Sequence, residues 1–319
     1  MIMITGGGGF LGLNIARSLV HSGKSVLLVQ RHAVPPHPLL EPYWEKQVQQ
    51  ATGNVLDWPF LFGLVKQYSI ESIVHGAFDT AAVTEPQNLK SGLCQLVQVE
   101  LEGSRNLLEI TRVAGLRRLS FISSLDCYRG WPDECDSWHE DAYLPPVSFS
   151  PIGSCKRSVE QLGFLYAKTC GTSFVALRVG RVYGPGASKR HPIRIMVESA
   201  VKGTKADLPT VPSSTRMHPV YAEDVGEATR LIHESKSLRH YIYNISDGNN
   251  PSMLKVAEAI RGLVPNSEII LGPAGPEGKA PYKTVDVHRM KQEFGFEFRN
   301  LRRGLEEYIR WTRTCCIDD

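Results

Sequence analysis

The sequence predicts an α/β protein: a doubly wound parallel sheet carrying a small C-terminal α/β lobe. Three observations predict it. Short apolar, β-branched runs alternate with longer stretches of helical periodicity through the first half of the chain. A glycine-packed turn, Gly6 to Gly12, joins the first apolar run to the first helical stretch. Polar residues then gather at the ends of apolar runs, as in Ser123-Ser124, and in such sheets ligands sit at the carboxyl ends of strands.

Met1 to Ile4 reads as a short buried strand, and Leu13, Ile15, Ala16, Leu19 and Val20 recur at helical spacing after the turn. Strand, glycine turn and helix in this order can hold a dinucleotide pyrophosphate. The glycines let the backbone adopt positive φ and come close to phosphate oxygens. Gly9, Phe10, Leu11 and Gly12 open the helix, whose unpaired N–H groups and positive dipole end suit an anion. Gly7, Gly9 and Gly12 satisfy G-x-G-x-x-G, and Gly6, Gly9 and Gly12 satisfy G-x-x-G-x-x-G. Thr5-Gly6 directly after the strand favours the second pattern, which resembles the short-chain dehydrogenase/reductase superfamily and its Rossmann-type sheet.

Bulk composition excludes several classes. With 319 residues the chain can bury a full core. Hydrophobic residues at 42% and charged residues at 22% are ordinary for a globular protein. A net charge of +3 does not point to nucleic acid or an anionic membrane as partner. No apolar run approaches the ~20 residues needed to span a bilayer. The chain enters its first strand at once, so no signal peptide is expected and a cytoplasmic location is. The seven cysteines form no C-x-x-C pair, so neither a disulfide frame nor a metal site is expected.

The second strand is Ser25 to Gln30, and Gln30-Arg31 falls where the adenosine ribose would lie. An acid there bonds the 2′-hydroxyl of NAD, whereas an arginine accommodates the 2′-phosphate of NADP. Gln30 and Arg31 therefore favour NADP over NAD, the alternative being a merely solvated arginine. Gly53-Asn54-Val55 after a third strand resembles the family's adenine-holding turn, with Asn54 in place of its acid. Ile70 to His75 is a fourth strand, and Gly76-Ala77-Phe78 resembles the small-residue floor under the cofactor.

A long helix is expected from Asn88 to Ala114. Its segment Glu100 to Leu108 resembles the Asn-Val-x-Gly-Thr-x-Asn-Leu-Leu of extended members, with Glu100 at the asparagine. That helix pairs in family dimers, which implies a homodimer. Leu119 to Ser124 is the fifth strand, and Ser123 to Gly130 resembles the family's Ser-Ser-x-x-x-Tyr-Gly stretch. The resemblance puts Ser124 in the place of the substrate-polarising serine, ahead of Tyr128. The acidic loop Trp131 to Ser150 carries His139-Glu140-Asp141, where extended members have an acidic pair.

A helix from Pro151 to Gly171 follows, with Val159, Leu162 and Leu165 on its buried face. The family places Tyr-x-x-x-Lys on one face of this helix. Here Lys156 is in register but Ile152 stands where the tyrosine belongs, and none of the 11 tyrosines has a lysine four positions later.

Ser173 to Arg178 is the sixth strand. Arg178 to Gly186 resembles Leu-Arg-x-x-Asn-Val-Tyr-Gly-Pro-Gly, with Val179 beside the cofactor and Arg181 in the asparagine slot. Arg181 could hold a carboxylate or enolate, or pair with Glu100. His191 to Gly203 reads as a helix, Tyr241 to Ile245 as a strand and Ser252 to Leu263 as an amphipathic helix. The expected division is a dinucleotide-binding domain over 1–178, rejoined by 220–245, and a substrate lobe over 179–219 and 246–319.

The chain is thus identified as a divergent member of the extended short-chain dehydrogenases, the NAD-dependent epimerase/dehydratase family. Extended members often clamp a nucleotide-sugar diphosphate with two arginines. The aligned positions here are Met217, with Arg216 one step away, and Pro276, so a small non-nucleotide substrate is expected. Three activities remain open. The first is NADP-dependent carbonyl reduction or epimerisation, with Ser124 polarising a carbonyl, Lys156 on the nicotinamide ribose, and Tyr128, Asp126 or His139 donating the proton. The second is a non-redox isomerase, lyase or cyclase that keeps the cofactor as scaffold, with Ser124 and Arg181 stabilising negative charge. The third is a non-catalytic NADP-responsive binding protein.

Overall fold

β1 (Ile2–Thr5), all four residues buried, leads through the glycine turn into α1 (Phe10–His21). β2 (Val26–Gln30), β3 (Val48–Thr52) and α2 (Trp58–Gln67) follow, then β4 (Ser72–His75). α3 (Pro86–Val97) continues through a π-helical turn, Gln98–Glu102, into α4 (Gly103–Val113). β5 (Leu119–Ser124) ends in a 3-10 turn, Leu125–Tyr128. Then come β6 (Ser137–Trp138), α5 (Pro151–Cys170), β7 (Phe174–Val179) and β8 (Arg181–Tyr183). α6 (Pro192–Lys202), β9 (Ala206–Pro212), β10 (Pro219–Tyr221), α7 (Ala222–Glu234) and β11 (Ile242–Ile245) succeed them. α8 (Met253–Leu263), β12 (Ile269–Gly272), β13 (Thr284–Val285), α9 (His288–Phe294) and α10 (Leu301–Cys315) complete the chain. This computed structural model describes residues 1–79, 86–130, 137–144, 148, 150–275 and 283–315, the side chains of 86–91 excepted. Pro276 and half of the acidic loop, residues 131–136, 145–147 and 149, lie outside that set.

Seven strands form one sheet in the order β11-β7-β5-β4-β1-β2-β3. The pairs β1–β2, β1–β4, β2–β3 and β4–β5 run parallel. Chain order reverses between β1 and β4, which makes a crevice at their carboxyl ends the expected place for a ligand. The sheet and its helices enclose a core that includes Met3, Leu27, Ile73, Leu107, Phe121, Val159 and Phe174. Phe121 is stacked on Phe174 at 6.3 Å, and deleting such a buried ring typically costs about 3–5 kcal/mol.

Element bounds differ from the sequence reading by one or two residues, and the reasons are local. β1 takes in Thr5 because Thr5 lies in register with Val29 and His75. The expected long helix is interrupted at Gln98–Glu102, where the wider turn keeps Val99, Glu100, Gly103 and Ser104 all facing inward. α5 starts under Ser150, whose hydroxyl accepts from Gly153 N–H at 3.2 Å, and stops at Gly171 in the left-handed conformation.

Two compact units divide the chain. One is Met1–Trp131, Tyr143–Arg178 and Gly226–Tyr243; the other is Pro132–Ala142, Val179–Val225 and Asn244–Asp319. The second unit has its own core around Ile193, Met196, Tyr221, Val256, Ile260, Leu305 and Tyr308. Three small parallel strand pairs serve it: β8 with β10, β9 with β12, and β6 with β13. Among the described residues, no helix is long and apolar enough to cross a membrane.

Candidate functional site

The glycine turn is built by close backbone approach. Gly6 has φ +69°, and a Cβ there would stand 2.7 Å from the Gly76 carbonyl oxygen. A Cβ on Gly12 would stand 2.3 Å from the Gly6 oxygen and 2.6 Å from Gly7 Cα. Gly9 differs: its nearest neighbour would be the Gly6 oxygen at 3.2 Å. Gly9 also caps α1 with extended backbone and no side-chain cap. Gly6 and Gly12 therefore serve packing, while Gly9 leaves open the approach to the N–H groups that begin α1. This cradle, which a Cβ would fill or disturb, fits a dinucleotide pyrophosphate.

The flanking residues differ in how they are committed. Arg31, half exposed at the end of β2, lies 3.6 Å from the buried carboxylate of Asp79. Gln30 donates to Gln50 at 3.0 Å, while its own Oε1 is buried without a hydrogen-bond partner. Asn54, exposed, accepts from Leu56 N–H at 3.1 Å and shapes the turn that presents Val55. Val55 packs on Gly103, where a Cβ would come within 2.7 Å of its Cγ2. Asn106 donates to the Val55 and Leu56 carbonyls at 3.1 and 3.2 Å. Ala77 N–H lies 3.4 Å from Thr5 Oγ1, and Phe78 packs with Leu96 and Cys155. Gly103, Ser104 and Asn106, within the Glu100 to Leu108 segment, fasten this turn and the end of β4. Their small or amide side chains in an otherwise apolar helix face were the available signal.

At the end of β5, Ser124 caps the 3-10 turn, its hydroxyl oxygen accepting from Asp126 N–H at 3.1 Å. That leaves the hydroxyl proton for another acceptor. Asp126 accepts from Ser150 Oγ at 2.9 Å and pairs with Arg129 at 3.0 Å, and its side chain is 27% exposed. Tyr128 is 0% exposed and lies under the Arg178 guanidinium, 4.7 Å from the ring centroid. Arg178 pairs with buried Glu160 at 2.6 and 3.0 Å, and Ser123 donates to the same carboxylate at 2.6 Å. Burial pushes the neighbouring Cys127 thiol up to about 12. Gly153 lets α5 approach: a Cβ there would lie 2.2 Å from the Asp126 carbonyl oxygen.

Lys156 is 5% exposed, and its Nζ stands 3.0 and 3.3 Å from the carboxylate oxygens of Glu100, which is 0% exposed. Lys156, not Arg181, is thus the partner of Glu100. The ammonium also lies 5.0 Å from the Phe78 ring centroid and 4.7 Å from that of Phe121. Burial pushes the Glu100 carboxyl above its ordinary range, with Lys156 pulling the other way. His75 sits close by, its ring nitrogens 2.7 Å from Thr5 Oγ1 and 3.0 Å from Ser104 Oγ. Burial, with help from the Lys156 charge, lowers His75 to about 3, so the ring is neutral. Ile152, half-buried, precedes Lys156 by one helical turn.

The remaining predicted residues belong to the second unit. Arg181 is exposed on β8, and its N–H donates to the His218 carbonyl at 2.6 Å. Together with burial, its charge holds His191 down to about 4, and both ring nitrogens of His191 are buried without a hydrogen-bond partner. Val179 is buried at the end of β7. His139 is exposed beside β6, while Glu140 accepts from Asn244 N–H at 2.9 Å and faces Arg289 at 3.6 Å. Arg216 donates to the Asn250 carbonyl at 2.6 Å, and Met217 packs against the core of this unit.

Comparison with known proteins agrees with this architecture. A family model described as the NAD dependent epimerase/dehydratase family matches residues 2–246. A dTDP-4-dehydro-6-deoxy-D-allose reductase from a Streptomyces species is 27% identical over 98% of this chain and 96% of its own. A UDP-glucuronate 4-epimerase from Thermodesulfobacterium geofontis is 23% identical over 98% and 95%. The solved UDP-glucose 4-epimerase of Thermotoga maritima superposes with a TM-score of 0.82 at 21% identity, covering 99% of each chain. A dTDP-glucose 4,6-dehydratase from Bacillus anthracis, in complex with NAD, gives 0.81 at 20% identity over 98% and 96%.

Proposed function

The chain belongs to the NAD dependent epimerase/dehydratase family, and from that premise we propose that it is an NADP-dependent enzyme acting on a small carbonyl or carbinol substrate, by reduction or epimerisation. The observation that carries the reading is the contact of Gly12 with the Gly6 carbonyl, which shapes a cradle for a pyrophosphate at the start of α1. The nicotinamide, when bound, supplies or accepts hydride. Lys156 closes the far end of the crevice, with its charge already engaged by Glu100.

Ser124 donates its hydroxyl proton to the substrate oxygen, while its oxygen accepts from Asp126 N–H and is held in place by it. Asp126 exchanges the proton in place of the missing tyrosine. Of the three substitutes, Tyr128 is sealed beneath Arg178 and His139 sits in the other unit, whereas Asp126 stays partly exposed and fixed by Ser150 and Arg129. Arg31 selects the 2′-phosphate of NADP once released from Asp79.

Absorbance of the reduced nicotinamide, followed with a panel of ketones and secondary alcohols, tests this. Ser124→Ala and Asp126→Asn should each lower kcat by ~10²–10⁴-fold while leaving dinucleotide affinity intact. Turnover with no absorbance change and no added cofactor would instead assign the chain to a non-redox isomerase, lyase or cyclase. Dinucleotide binding with no turnover of any substrate would favour the binding-protein reading.

A second reading concerns the substrate. The relatives are named as enzymes of dTDP- and UDP-sugars and match over nearly their whole lengths, which favours a nucleotide sugar. Against it, Met217 packs against the core and Arg216 is tied to a backbone carbonyl. Calorimetry with UDP and dTDP separates the two, since a nucleotide-sugar enzyme binds the free nucleotide.

A further inference from the structure

We propose that Glu100 sets which oxidation state of the dinucleotide this chain prefers: its carboxylate cancels the Lys156 charge at the end of the crevice. The oxidised, cationic nicotinamide is then held more tightly than it would be beside a bare lysine. This rests on the reading that a dinucleotide lies across the glycine turn and reaches Lys156.

The family carries asparagine at position 100, a neutral residue, so its lysine keeps a full positive charge. Here the ammonium stands 3.0 Å from a carboxylate with no exposure to solvent, between the rings of Phe78 and Phe121. Among the described residues, the other titratable groups nearby add no charge. His75 is neutral, and burial raises the Cys155 thiol, which keeps it protonated. The cluster is therefore a lysine plus a glutamate with no net charge. The two nicotinamide states differ by one unit of charge on the ring, so local charge discriminates between them. In a site screened from water, one uncompensated charge within several ångströms changes such a preference by about tenfold or more.

The test is equilibrium binding of NADP and NADPH, and of NAD and NADH, by calorimetry, with no substrate present. Glu100→Gln should shift the ratio of oxidised to reduced dissociation constants by about tenfold toward the reduced form, a change of about 30 mV in the potential of the bound couple. Lys156→Met should shift it the other way, and the double variant should restore the parent ratio. Glu100→Asp keeps the charge and should leave the ratio within twofold of the parent. If Glu100→Gln does not fold, Lys156→Met and the double variant still carry the comparison. Ratios that stay within twofold across the Lys156→Met and double variants overturn the inference. Absence of binding by either oxidation state overturns the underlying reading of a dinucleotide site.

Discussion

Glu160 and Arg178 form a buried two-pronged ion pair, 2.6 and 3.0 Å, that joins α5 to β7 beneath the end of β5. Ser123 also donates to Glu160, and Tyr128 lies against the guanidinium. Removing one partner leaves an uncompensated buried charge. Glu160→Gln should therefore cost about 3–5 kcal/mol, read as a lower urea midpoint. Replacing both residues by methionine should cost much less, because no charge is then stranded. Equal losses in the two variants would show that packing, not charge, governs this spot.

Gly12 and Gly9 separate folding from binding. A Cβ at Gly12 meets backbone at 2.3 Å, which cannot be relieved by turning a side chain, whereas Gly9 has only one neighbour at 3.2 Å. Gly12→Ala should lower the melting temperature by several degrees or abolish soluble expression. Gly9→Ala should fold normally and lose affinity for dinucleotide at least tenfold, since its methyl group enters the approach to the α1 N–H groups. A Gly9→Ala protein with unchanged affinity would remove the pyrophosphate from this turn.

The contrast between these two glycines marks what was legible in the sequence. The order of the strands β1 to β5, the helix α1 and the terminator Gly171 are encoded locally, by periodicity and turn chemistry, and can be read residue by residue. The pairing of β9 with β12 joins residues some sixty positions apart, through a β9 broken by Asp207, Pro209 and Thr210 and a β12 of only four residues. The same holds at the site. Lys156 is recognisable by its register in the helix, but its partner Glu100 lies 56 positions away and becomes a partner only through the π-helical turn that points it inward.

Acid should weaken the first unit more than the second. His75 and His233, both in the first unit, are lowered by burial from 6.5 to about 3. The unfolded chain takes up their protons below pH 6.5 and the fold does not, so their stabilisation is complete above 6.5 and is lost as pH falls toward 3. At pH 5 that is about 2 kcal/mol for each. Asp224 and Asp247, in the second unit, are raised by burial from 3.8 to about 6. The fold takes up those protons first, a gain as pH falls from 6 to 3.8, but His191 in the same unit, lowered by burial to about 4, loses stability below 6.5 and offsets most of it. Urea melts at pH 7 and pH 5 should show the first unit weakened and the second little changed. His233→Gln, which removes one titrating ring from between Ser72 and Ser120, should roughly halve the first unit's acid sensitivity. An unchanged slope would exclude His233 as its source.

Cofactor choice should respond to Asp79. Its carboxylate holds Arg31 at 3.6 Å, away from full availability to a 2′-phosphate. Asp79→Asn should raise NADP affinity several-fold while leaving NAD unchanged, and Arg31→Ala should lower NADP affinity alone. Calorimetric titration of both dinucleotides reads the difference, and parallel changes for NAD and NADP would exclude Arg31 as the selector.

Restoring the tyrosine should not by itself restore its chemistry. Ile152 and Lys156 share one face of α5, so Ile152→Tyr places a phenol beside the ammonium. A phenol acts as proton donor and acceptor near neutrality only when a nearby positive charge draws its pKa down from about 10, typically by 1–3 units. The Glu100 carboxylate, 3.0 Å from Nζ, cancels most of that field. Ile152→Tyr alone should therefore show a tyrosine that titrates near 10 and little change in turnover. Combined with Glu100→Asn it should titrate at least one unit lower, and turnover should rise by an order of magnitude or more if proton transfer limits the rate. Ultraviolet titration of the added phenol reads the first quantity directly and needs no substrate. Identical titration curves in the single and double variants would mean that the glutamate does not govern the field at position 152, and that the lysine's charge is already free to act there.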